Sequence, residues 1–240
     1  MAKRYFRQLS AFLRQTLNLF LPPVCCACQL SLEDSSSSLC PACASQAQLL
    51  STGICERCGS PLEKDHCTAC DQIDFDFELS RNAFNYQEPV ISMIQNLKYR
   101  GFTHSAIYLA AGMAKVVQNI PEYSACDYIC AVPLYPVRRR ERGYNQSELI
   151  AKHLSKYTGI RYLKGLKRRR YTKSQTKLPR SERLNNLYGA FKAVNRCKIE
   201  GKSLILVDDV FTTGSTLNES SKALHAAGVA RVYGLTAARA

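Results

Sequence analysis

At residues 204–216 the chain reads Leu-Ile-Leu-Val-Asp-Asp-Val-Phe-Thr-Thr-Gly-Ser-Thr: an apolar run, two acids and a loop of hydroxyls. The apolar run predicts a strand buried on both faces of a parallel sheet, and a helix is expected over residues 217–227. Ligands of open α/β sheets bind beyond the carboxyl ends of strands, and free amides at a helix N-terminus bind anions. The stretch therefore predicts a phosphate site, with Asp208 and Asp209 suited to ribose hydroxyls or a metal ion. The alternative is an ordinary strand, acidic turn and N-capped helix.

The same stretch resembles the phosphoribosyl-diphosphate (PRPP) motif of the type I phosphoribosyltransferases. That motif has an apolar strand, two acids, two or three small or apolar residues and then Thr-Gly-Gly/Ser-Thr. The resemblance implies that Asp208 and Asp209 are the catalytic acids and hold the ribose 2′ and 3′ hydroxyls, that residues 212–216 bind the 5′-phosphate, and that Mg²⁺ binds with PRPP. The implied PRPP-binding residues are Asp208, Asp209, Val210, Phe211, Thr212, Thr213, Gly214, Ser215 and Thr216.

Composition limits the class of protein. The chain has 240 residues, enough for one full domain and a small module, and 46% of them are hydrophobic. No apolar run reaches the roughly 18 residues of a membrane-spanning helix. The net charge of +14 favours a polyanionic partner such as nucleic acid, or an anionic membrane surface. The 12 cysteines occur mostly in close pairs, which predicts metal binding in a reducing cytoplasm rather than secreted disulfides.

Four Cys-x-x-Cys pairs follow one another within residues 22–72. Each pair supplies two thiolates from one turn, and two pairs complete a closed tetrahedral Cys₄ zinc site. We therefore expect two structural zinc ions, which supply the folding energy of a segment with little apolar core. Sequential pairing is preferred and cross-braced pairing stays open, with Cys26 left over and His66 a solvated neighbour. The predicted ligands are Cys25, Cys28, Cys40, Cys43, Cys55, Cys58, Cys67 and Cys70.

Residues 1–21 carry apolar side chains at helical spacing and basic residues without an opposing acid. The pattern predicts a basic amphipathic helix. Such a helix docks on the chain's own core or lies on a membrane surface or partner protein.

The next segments surround the expected site. Residues 74–79 alternate between acidic and apolar and predict a strand, and extended chain continues to residue 86. Helices are predicted over residues 90–99 and 105–117. In transferases of this type such helices form a hood over the sugar phosphate, where Lys98 and Arg100 reach the ligand or merely cap a helix.

Two basic segments complete the predicted site. A core strand at residues 127–132 is followed by residues 133–147, the position of a pyrophosphate loop, with Ser147 predicted to cap a helix over 148–157. A short strand at 160–163 precedes residues 164–183, where nine basic residues face one acid. This predicts a mobile loop that closes over PRPP or remains a solvated face. A helix at 182–187 and a strand at 190–194 are expected next. The residues expected to contact pyrophosphate or belong to the flexible loop are Lys98, Pro133, Leu134, Arg139, Arg142, Gln175 and Arg183; those expected to contact DNA are Arg138, Arg140, Arg168, Arg169 and Arg170.

Four motifs follow one another along the chain: the cysteine pairs, Leu-Lys-Tyr at 97–99, Arg-Gly-Tyr-Asn-Gln-Ser at 142–147 and the 204–216 motif. In this combination the chain resembles the ComF family of ComFC-like and GntX-like bacterial proteins. The resemblance implies an α/β fold with a parallel-sheet type I phosphoribosyltransferase domain and hood at residues 73–240, preceded by a double zinc ribbon at 22–72. It also implies natural competence, that is, the handling of incoming single-stranded DNA.

Two functions follow as hypotheses. One is a competence-associated phosphoribosyltransferase (a pentosyltransferase) of unknown acceptor that binds PRPP with Mg²⁺ and handles single-stranded DNA. The other is a non-catalytic, zinc-containing nucleic-acid-binding protein with a vestigial or sensory PRPP site. The expected location is the cytoplasm, with peripheral membrane contact through residues 1–21. Expected protein partners are a competence helicase or a recombination mediator.

Overall fold

The computed structural model describes residues 22–34, 37–50, 52–170 and 187–240. Its strands are β1 (Ser80–Asn85), β2 (Tyr128–Ala131), β3 (Arg161–Tyr162), β4 (Leu166–Arg168), β5 (Phe191–Ala193), β6 (Ser203–Phe211) and β7 (Arg231–Arg239). Five of them form a wholly parallel sheet in the order β1-β7-β6-β2-β3. The other two, β4 and β5, pair antiparallel in a separate ribbon.

The helices of the described residues connect and cover these strands. They are α1 (Pro41–Gln46), α2 (Thr68–Gln72), α3 (Val90–Tyr99), α4 (His104–Asn119), α5 (Pro121–Ser124), α6 (Pro136–Arg142), α7 (Gln146–Thr158), α8 (Arg196–Ile199) and α9 (Ser215–His225). Within the part of the chain that is described, no helix is both long and apolar enough to cross a membrane.

The central strand β6 is buried on both faces, as the sequence predicts. Ile205 and Val207 belong to a core shared with α3, α4 and α7, which we call the first core. Leu204 and Leu206 belong to a second core, on the other side of the strand, shared with α9 and the β4–β5 ribbon. The alternation follows from the two-residue repeat of a strand.

The topology leaves a crevice at the carboxyl end of β6. Strand β2 pairs with β6 only as far as Ala131 and Val207, whereas β6 continues to Phe211 beside β7. From β2 the chain moves outward to β3 and then returns to β6 and β7. The strand order therefore reverses between β2 and β6, which is where open α/β sheets bind ligands.

The pairing with β7 corrects the predicted strand end. The apolar pattern predicts a strand that ends at residue 207, with both acids after it. Asp208 pairs with Thr236 and Val210 with Ala238, so the acids are part of β6. Hydrogen bonding to one neighbour suffices to continue the strand although the apolar pattern has ended.

Several predicted helices and strands are confirmed. The helix predicted over residues 90–99 has those bounds, and the others predicted within the described residues differ by one or two residues at their ends. The two strands predicted at 127–132 and 190–194 are present but shorter. Of the helix predicted at 182–187, only residue 187 lies within the described residues. Residues 1–21, Gln175 and Arg183 lie outside them.

Three local predictions are wrong. Residues 74–79 form no strand, because the amide of Asp76 bonds to the side chain of Asn218 instead of a sheet partner. Residues 133–147 are not all loop: Pro136 begins α6, since proline is favoured in a first helical turn. Residues 164–183 begin with strand β4, because Leu166 buries its side chain opposite Ala193 of β5.

Candidate active site

The loop of residues 212–216 joins β6 to α9 and has a fixed shape. Thr213 Oγ1 lies 2.6 Å from Ser215 Oγ, and both residues are buried. Gly214 has a φ of +78°, and a Cβ there would lie 2.6 Å from a ring carbon of Phe75 and 2.7 Å from one of Phe211. Only glycine fits this backbone and this space. The loop leads directly into the N-terminus of α9, where free amides favour an anion.

The two acids lie beside this loop in different surroundings. Asp208 Oδ1 accepts hydrogen bonds from Ser147 Oγ at 2.8 Å and from the Asp209 amide at 2.9 Å. Burial raises the pKa of Asp208 to about 7, the neighbouring charge of Asp209 acts in the same direction, and the Ser147 hydrogen bond opposes them. Asp208 thus changes charge near neutral pH. Ser147 does not cap a helix as predicted: α7 begins at Gln146, and the hydroxyl serves the acid.

Lys98 reaches the other acid from the end of α3. Its Nζ lies 2.9 Å from Asp209 Oδ2, and the two side chains are 20% and 14% exposed. Burial alone would lower the pKa of Lys98, but the charge and hydrogen bond of Asp209 raise it above its usual value. Tyr144 fixes this helix end by donating to the Leu97 carbonyl at 2.5 Å. Lys98, predicted from the sequence to contact pyrophosphate, thus pairs with the acids and is not part of the cleft lining described below.

A cation-rich cleft of about 510 Å³ lies where the segments after β2 and β3 meet. Three of its lining residues, Pro133, Leu134 and Arg139, were predicted for pyrophosphate, and Arg140 and Arg168 were predicted for DNA. The full lining is Pro133, Leu134, Pro136, Arg139, Arg140, Gly143, Lys164, Leu166, Lys167 and Arg168.

Arg168 connects the cleft to the acids. Its guanidinium lies 5.4 Å from the centre of the Phe191 ring, which orients it by cation–π contact. Burial lowers the pKa of Arg168, and the negative charge of Asp208 partly opposes this shift. Arg168, which lines the cleft, therefore lies within electrostatic reach of Asp208.

The other predicted cations lie in different places. Arg139 pairs with Glu148 at 3.4 Å. Arg142 lies over the ring of Tyr99, 5.1 Å from its centre, and does not line the cleft. Arg138 is half-buried and acts electrostatically on Arg168, whereas Arg169 and Arg170 are exposed.

Sequence reasoning did not identify two residues that contact the 212–216 loop. Phe75 packs its ring against Gly214. Arg239, next to the last residue, donates through Nη1 to the carbonyl of Thr212 at 2.8 Å and to that of Phe211 at 3.2 Å. No local pattern signals these contacts, because the partners are far apart along the chain.

The eight paired cysteines form two clusters, and the sequential pairing is confirmed. In each cluster the four sulfur atoms lie within 4.8 Å of one another. A tetrahedral zinc with bonds of about 2.3 Å requires sulfur separations of about 3.8 Å, and observed separations include 3.8, 3.7 and 3.4 Å. The arrangement thus fits two closed Cys₄ zinc sites. The first cluster is Cys25, Cys28, Cys40 and Cys43; the second cluster is Cys55, Cys58, Cys67 and Cys70.

Cys26 and His66, which the sequence left outside the predicted zinc sites, also lie outside the two clusters. Cys26 is buried, which raises the pKa of its thiol to about 11. His66 Nε2 lies 2.6 Å from Asp71 Oδ2 at the surface. Neither offers a further ligand within the clusters.

Comparison with known proteins agrees with this architecture. The profile of the phosphoribosyl transferase domain matches residues 107–238, and that of the double zinc ribbon domain matches residues 16–74. Competence protein F of Haemophilus influenzae is 36% identical over 183 residues, which are 72% of this chain and 79% of that protein. The chain belongs to the ComF family. The predicted fold class, a double zinc ribbon preceding a parallel-sheet phosphoribosyltransferase fold, is confirmed.

This ComF-family protein is also similar to a second bacterial protein and to a solved structure. DNA utilization protein YhgH of Escherichia coli O6:H1 is 32% identical over 152 residues, 62% of this chain and 66% of that protein. Among solved structures, the glutamine PRPP amidotransferase from B. subtilis complexed with ADP and GMP matches 60% of this chain and 30% of its own, with 21% identity and a TM-score of 0.41.

Proposed function

We propose that this ComF-family protein binds PRPP with Mg²⁺ in the crevice at the end of β6 and transfers its phosphoribosyl group to an acceptor. We further propose that it handles single-stranded DNA during natural transformation. One observation carries the proposal: the acid pair and the 212–216 loop lie at the end of β6, and the cleft lined by arginine and lysine begins at Pro133, just past the end of the neighbouring strand β2. PRPP consists of a phosphate, a ribose and a pyrophosphate, which would contact the loop, the acid pair and the cleft respectively.

Each part of PRPP has a matching set of groups. The amides and hydroxyls of Thr213 and Ser215 suit the 5′-phosphate, and the carboxylates of Asp208 and Asp209 accept from the ribose hydroxyls. The pyrophosphate would occupy the cleft near Arg168. The acids fit Mg²⁺, because carboxylate oxygens are its preferred protein ligands, and the ion when bound would offset charge on the departing pyrophosphate.

The chain's own residues would act by position and charge. Asp208 and Asp209 orient the ribose, so that its C1 faces an attacking nucleophile while the bond to pyrophosphate breaks. Lys98, which pairs with Asp209, and Arg168 would offset negative charge on the acids and on the leaving group. This mechanism needs no covalent intermediate with the protein.

The eight clustered thiolates would hold two zinc ions as structural ligands. This fits a cytoplasmic location, where thiols stay reduced. Zinc would supply folding energy to residues 22–72, which contain only short helices and isolated bridges among the residues described.

Pyrophosphate release from PRPP tests the enzymatic proposal. The assay should be run with Mg²⁺ and a panel of bases, nucleosides and single-stranded DNA as acceptors. We expect release with one acceptor class, loss of release in Asp208→Asn/Asp209→Asn, and normal release in Glu122→Gln, an acid exposed on α5. PRPP binding without release across the whole panel would instead establish the non-catalytic alternative.

The DNA proposal rests on exposed charge near the cleft. Arg169 and Arg170 are exposed, Arg170 donates to the carbonyl of Tyr188, and Tyr188 is itself 72% exposed. Cations with an exposed aromatic ring suit the backbone and bases of a single strand. The names of the relatives, a competence protein and a DNA utilization protein, support the same role.

Titration of labelled oligonucleotides at several salt concentrations tests the DNA proposal. Replacing Arg169 and Arg170 by Gln should weaken binding and flatten the salt slope by about 0.7 log unit per lost phosphate contact. Single strands should bind more tightly than duplex, with little sequence preference. Lys115→Gln on α4 is the control for lost positive charge. Equal slopes for the double variant and wild type would remove these arginines from the DNA surface.

A further inference from the structure

We propose that the second cluster positions the 212–216 loop through Arg57 and Arg239, so that the loop's affinity for a phosphate depends on this zinc ribbon. The identity of the ligand rests on the proposed function. The coupling itself rests on two chains of contacts that start within the Cys55–Ser60 turn and end on the loop.

The first chain of contacts passes through Phe75. Arg57 lies between two cysteines of the second cluster, and its Nη2 donates to the carbonyl of Phe75 at 2.7 Å and to Asp74 Oδ1 at 2.8 Å. Phe75 is 3% exposed, and its ring packs so closely on Gly214 that a single added Cβ would collide with it. A displacement of Phe75 therefore displaces the middle of the loop.

The same ring also packs against its aromatic neighbours. Phe75 stacks on Phe77 at 4.7 Å and meets the edge of Phe211 at 6.2 Å between ring centres. The next residue continues the contact, because the amide of Asp76 donates to Asn218 Oδ1 at 2.7 Å in the first turn of α9. The segment after the second cluster thus holds both ends of the loop.

The second chain of contacts passes through Arg239. Ser60 Oγ lies 3.2 Å from Cys58 Sγ and accepts from Arg239 Nε at 3.3 Å. The same guanidinium donates to the carbonyl of Thr212, the first residue of the loop. One side chain therefore joins the cysteine turn to the start of the loop.

The cysteine turn is itself fixed against the sheet. Gly59 has a φ of +67°, and a Cβ there would lie 2.7 Å from the carbonyl oxygen of Ser80 at the start of β1. Asn82 donates to the Gly59 carbonyl at 2.9 Å, and the Ser80 amide donates to the Arg57 carbonyl at 2.7 Å. The turn is thus held rigidly enough to position what it contacts.

A matched pair of arginine variants tests the proposal in the full chain. Arg57→Met removes the bonds to Phe75 and Asp74. Arg81→Met removes an arginine that donates to Glu56 in the same turn, but whose donated bonds do not reach Phe75. The readouts are zinc content, hydrogen exchange of peptides spanning residues 208–217, and calorimetry with PRPP and Mg²⁺.

We expect both variants to keep wild-type zinc. Arg57→Met should speed loop exchange about tenfold and raise the Kd for PRPP about tenfold, the order of effect of losing a charge-assisted hydrogen bond. Arg81→Met should change either value by less than about twofold. Arg57→Lys, which keeps a cationic donor, should partly restore both the slow loop exchange and the PRPP affinity. If Arg57 only stabilised the fold, Arg57→Met would lower the free energy of unfolding and leave the Kd for PRPP unchanged.

Equal effects of Arg57→Met and Arg81→Met on loop exchange and affinity would overturn the proposal. Absence of PRPP binding by the wild type would defeat the proposed function, while the exchange comparison would still decide the coupling. If Arg57→Met loses zinc or fails to fold, Phe75→Leu decides, because it leaves the cysteine turn intact. Faster loop exchange in Phe75→Leu supports the proposal, and unchanged exchange contradicts it.

Discussion

The two cysteine clusters have the same ligand set but contribute to hydrophobic cores on opposite sides of the central strand. The first cluster contributes Cys25 to the core shared with α3, α4 and α7. The second contributes Cys58 to the core shared with α9 and the β4–β5 ribbon. Two clusters with the same ligands thus pack into different cores, because different helices and strands surround each of them.

The first cluster is tied to the helix that carries Lys98. Asn96 of α3 donates to the carbonyls of Cys26 and Ala27, at 2.9 and 3.2 Å, and all three residues are buried. Two positions later on the same helix, Lys98 pairs with Asp209. The segment of the first cluster is therefore hydrogen-bonded to the helix that carries Lys98, whereas the second cluster is linked through Phe75 and Arg239 to the 212–216 loop.

Replacing one ligand in each cluster should give the largest effects and shows whether the clusters are independent. Cys58→Ser and Cys28→Ser should each lower zinc from two ions per chain to one. Cys58 is fully buried and Cys28 is exposed, so Cys58→Ser should destabilise more, on the order of 5 kcal/mol. Elemental analysis and urea unfolding measure both effects. Cys26→Ser, a non-ligand control, should keep two zinc ions. Retention of two ions in either ligand variant would contradict the assignment.

Asn96→Ala should have the next largest effect and tests the link from the first cluster. The variant leaves two buried carbonyl oxygens without their donor, which should cost about 2 kcal/mol in the free energy of unfolding. Gln95→Ala, an exposed neighbour on the same helix, is the control and should change stability little. Urea unfolding gives both values. Equal losses would show that the bond to the first ribbon contributes nothing.

The smallest expected effect is a pH dependence that separates the acid pair from the loop. The pKa of Asp208 is raised to about 7, so below pH 7 the Asp208 carboxyl of the ligand-free protein is protonated. This proton must be released before the carboxylate can accept hydrogen bonds from the ribose hydroxyls. PRPP affinity should therefore rise about tenfold between pH 6 and 8, and this rise should vanish in Asp208→Asn. Arg57→Met should keep it, because that change acts on the loop. Calorimetry at both pH values decides; an identical rise in Asp208→Asn would assign it to ionisation of PRPP.

The same titration has a consequence for folding. An unfolded aspartate ionises near pH 4, so between about pH 4 and 7 the folded state binds more protons than the unfolded state. Stability should then fall as pH rises through that window, and this contribution should be absent in Asp208→Asn. Urea unfolding at pH 5 and 7.5 measures the difference.

The parts predicted from the sequence are those coded by neighbouring residues. The acids and the 212–216 loop follow one another in a single motif, and the cysteine spacing indicates two tetrahedral sites. The partners of these groups were missed or assigned elsewhere: Ser147 lies 61 residues before Asp208 along the chain, and Arg239 lies 27 after Thr212. Such contacts depend on the strand order, which local patterns do not specify.

The wrong strand at residues 74–79 has a related cause. Alternating Phe75 and Phe77 matched a half-buried strand, yet both rings enter one aromatic cluster and stack on each other. Alternation shows only that apolar side chains recur. Where the backbone amides bond, here partly to Asn218, decides whether a strand forms.

Calorimetry of PRPP with Mg²⁺ tests the central claim most directly, by comparing the wild type with Asp208→Asn/Asp209→Asn. We predict that the wild type binds and that the double variant loses affinity by about 100-fold or more, since two charged acceptors of ribose hydroxyls are lost. Zinc content and the unfolding transition should remain those of a folded protein. Unchanged PRPP affinity in a folded, zinc-loaded double variant would contradict the assignment of this crevice as the PRPP site.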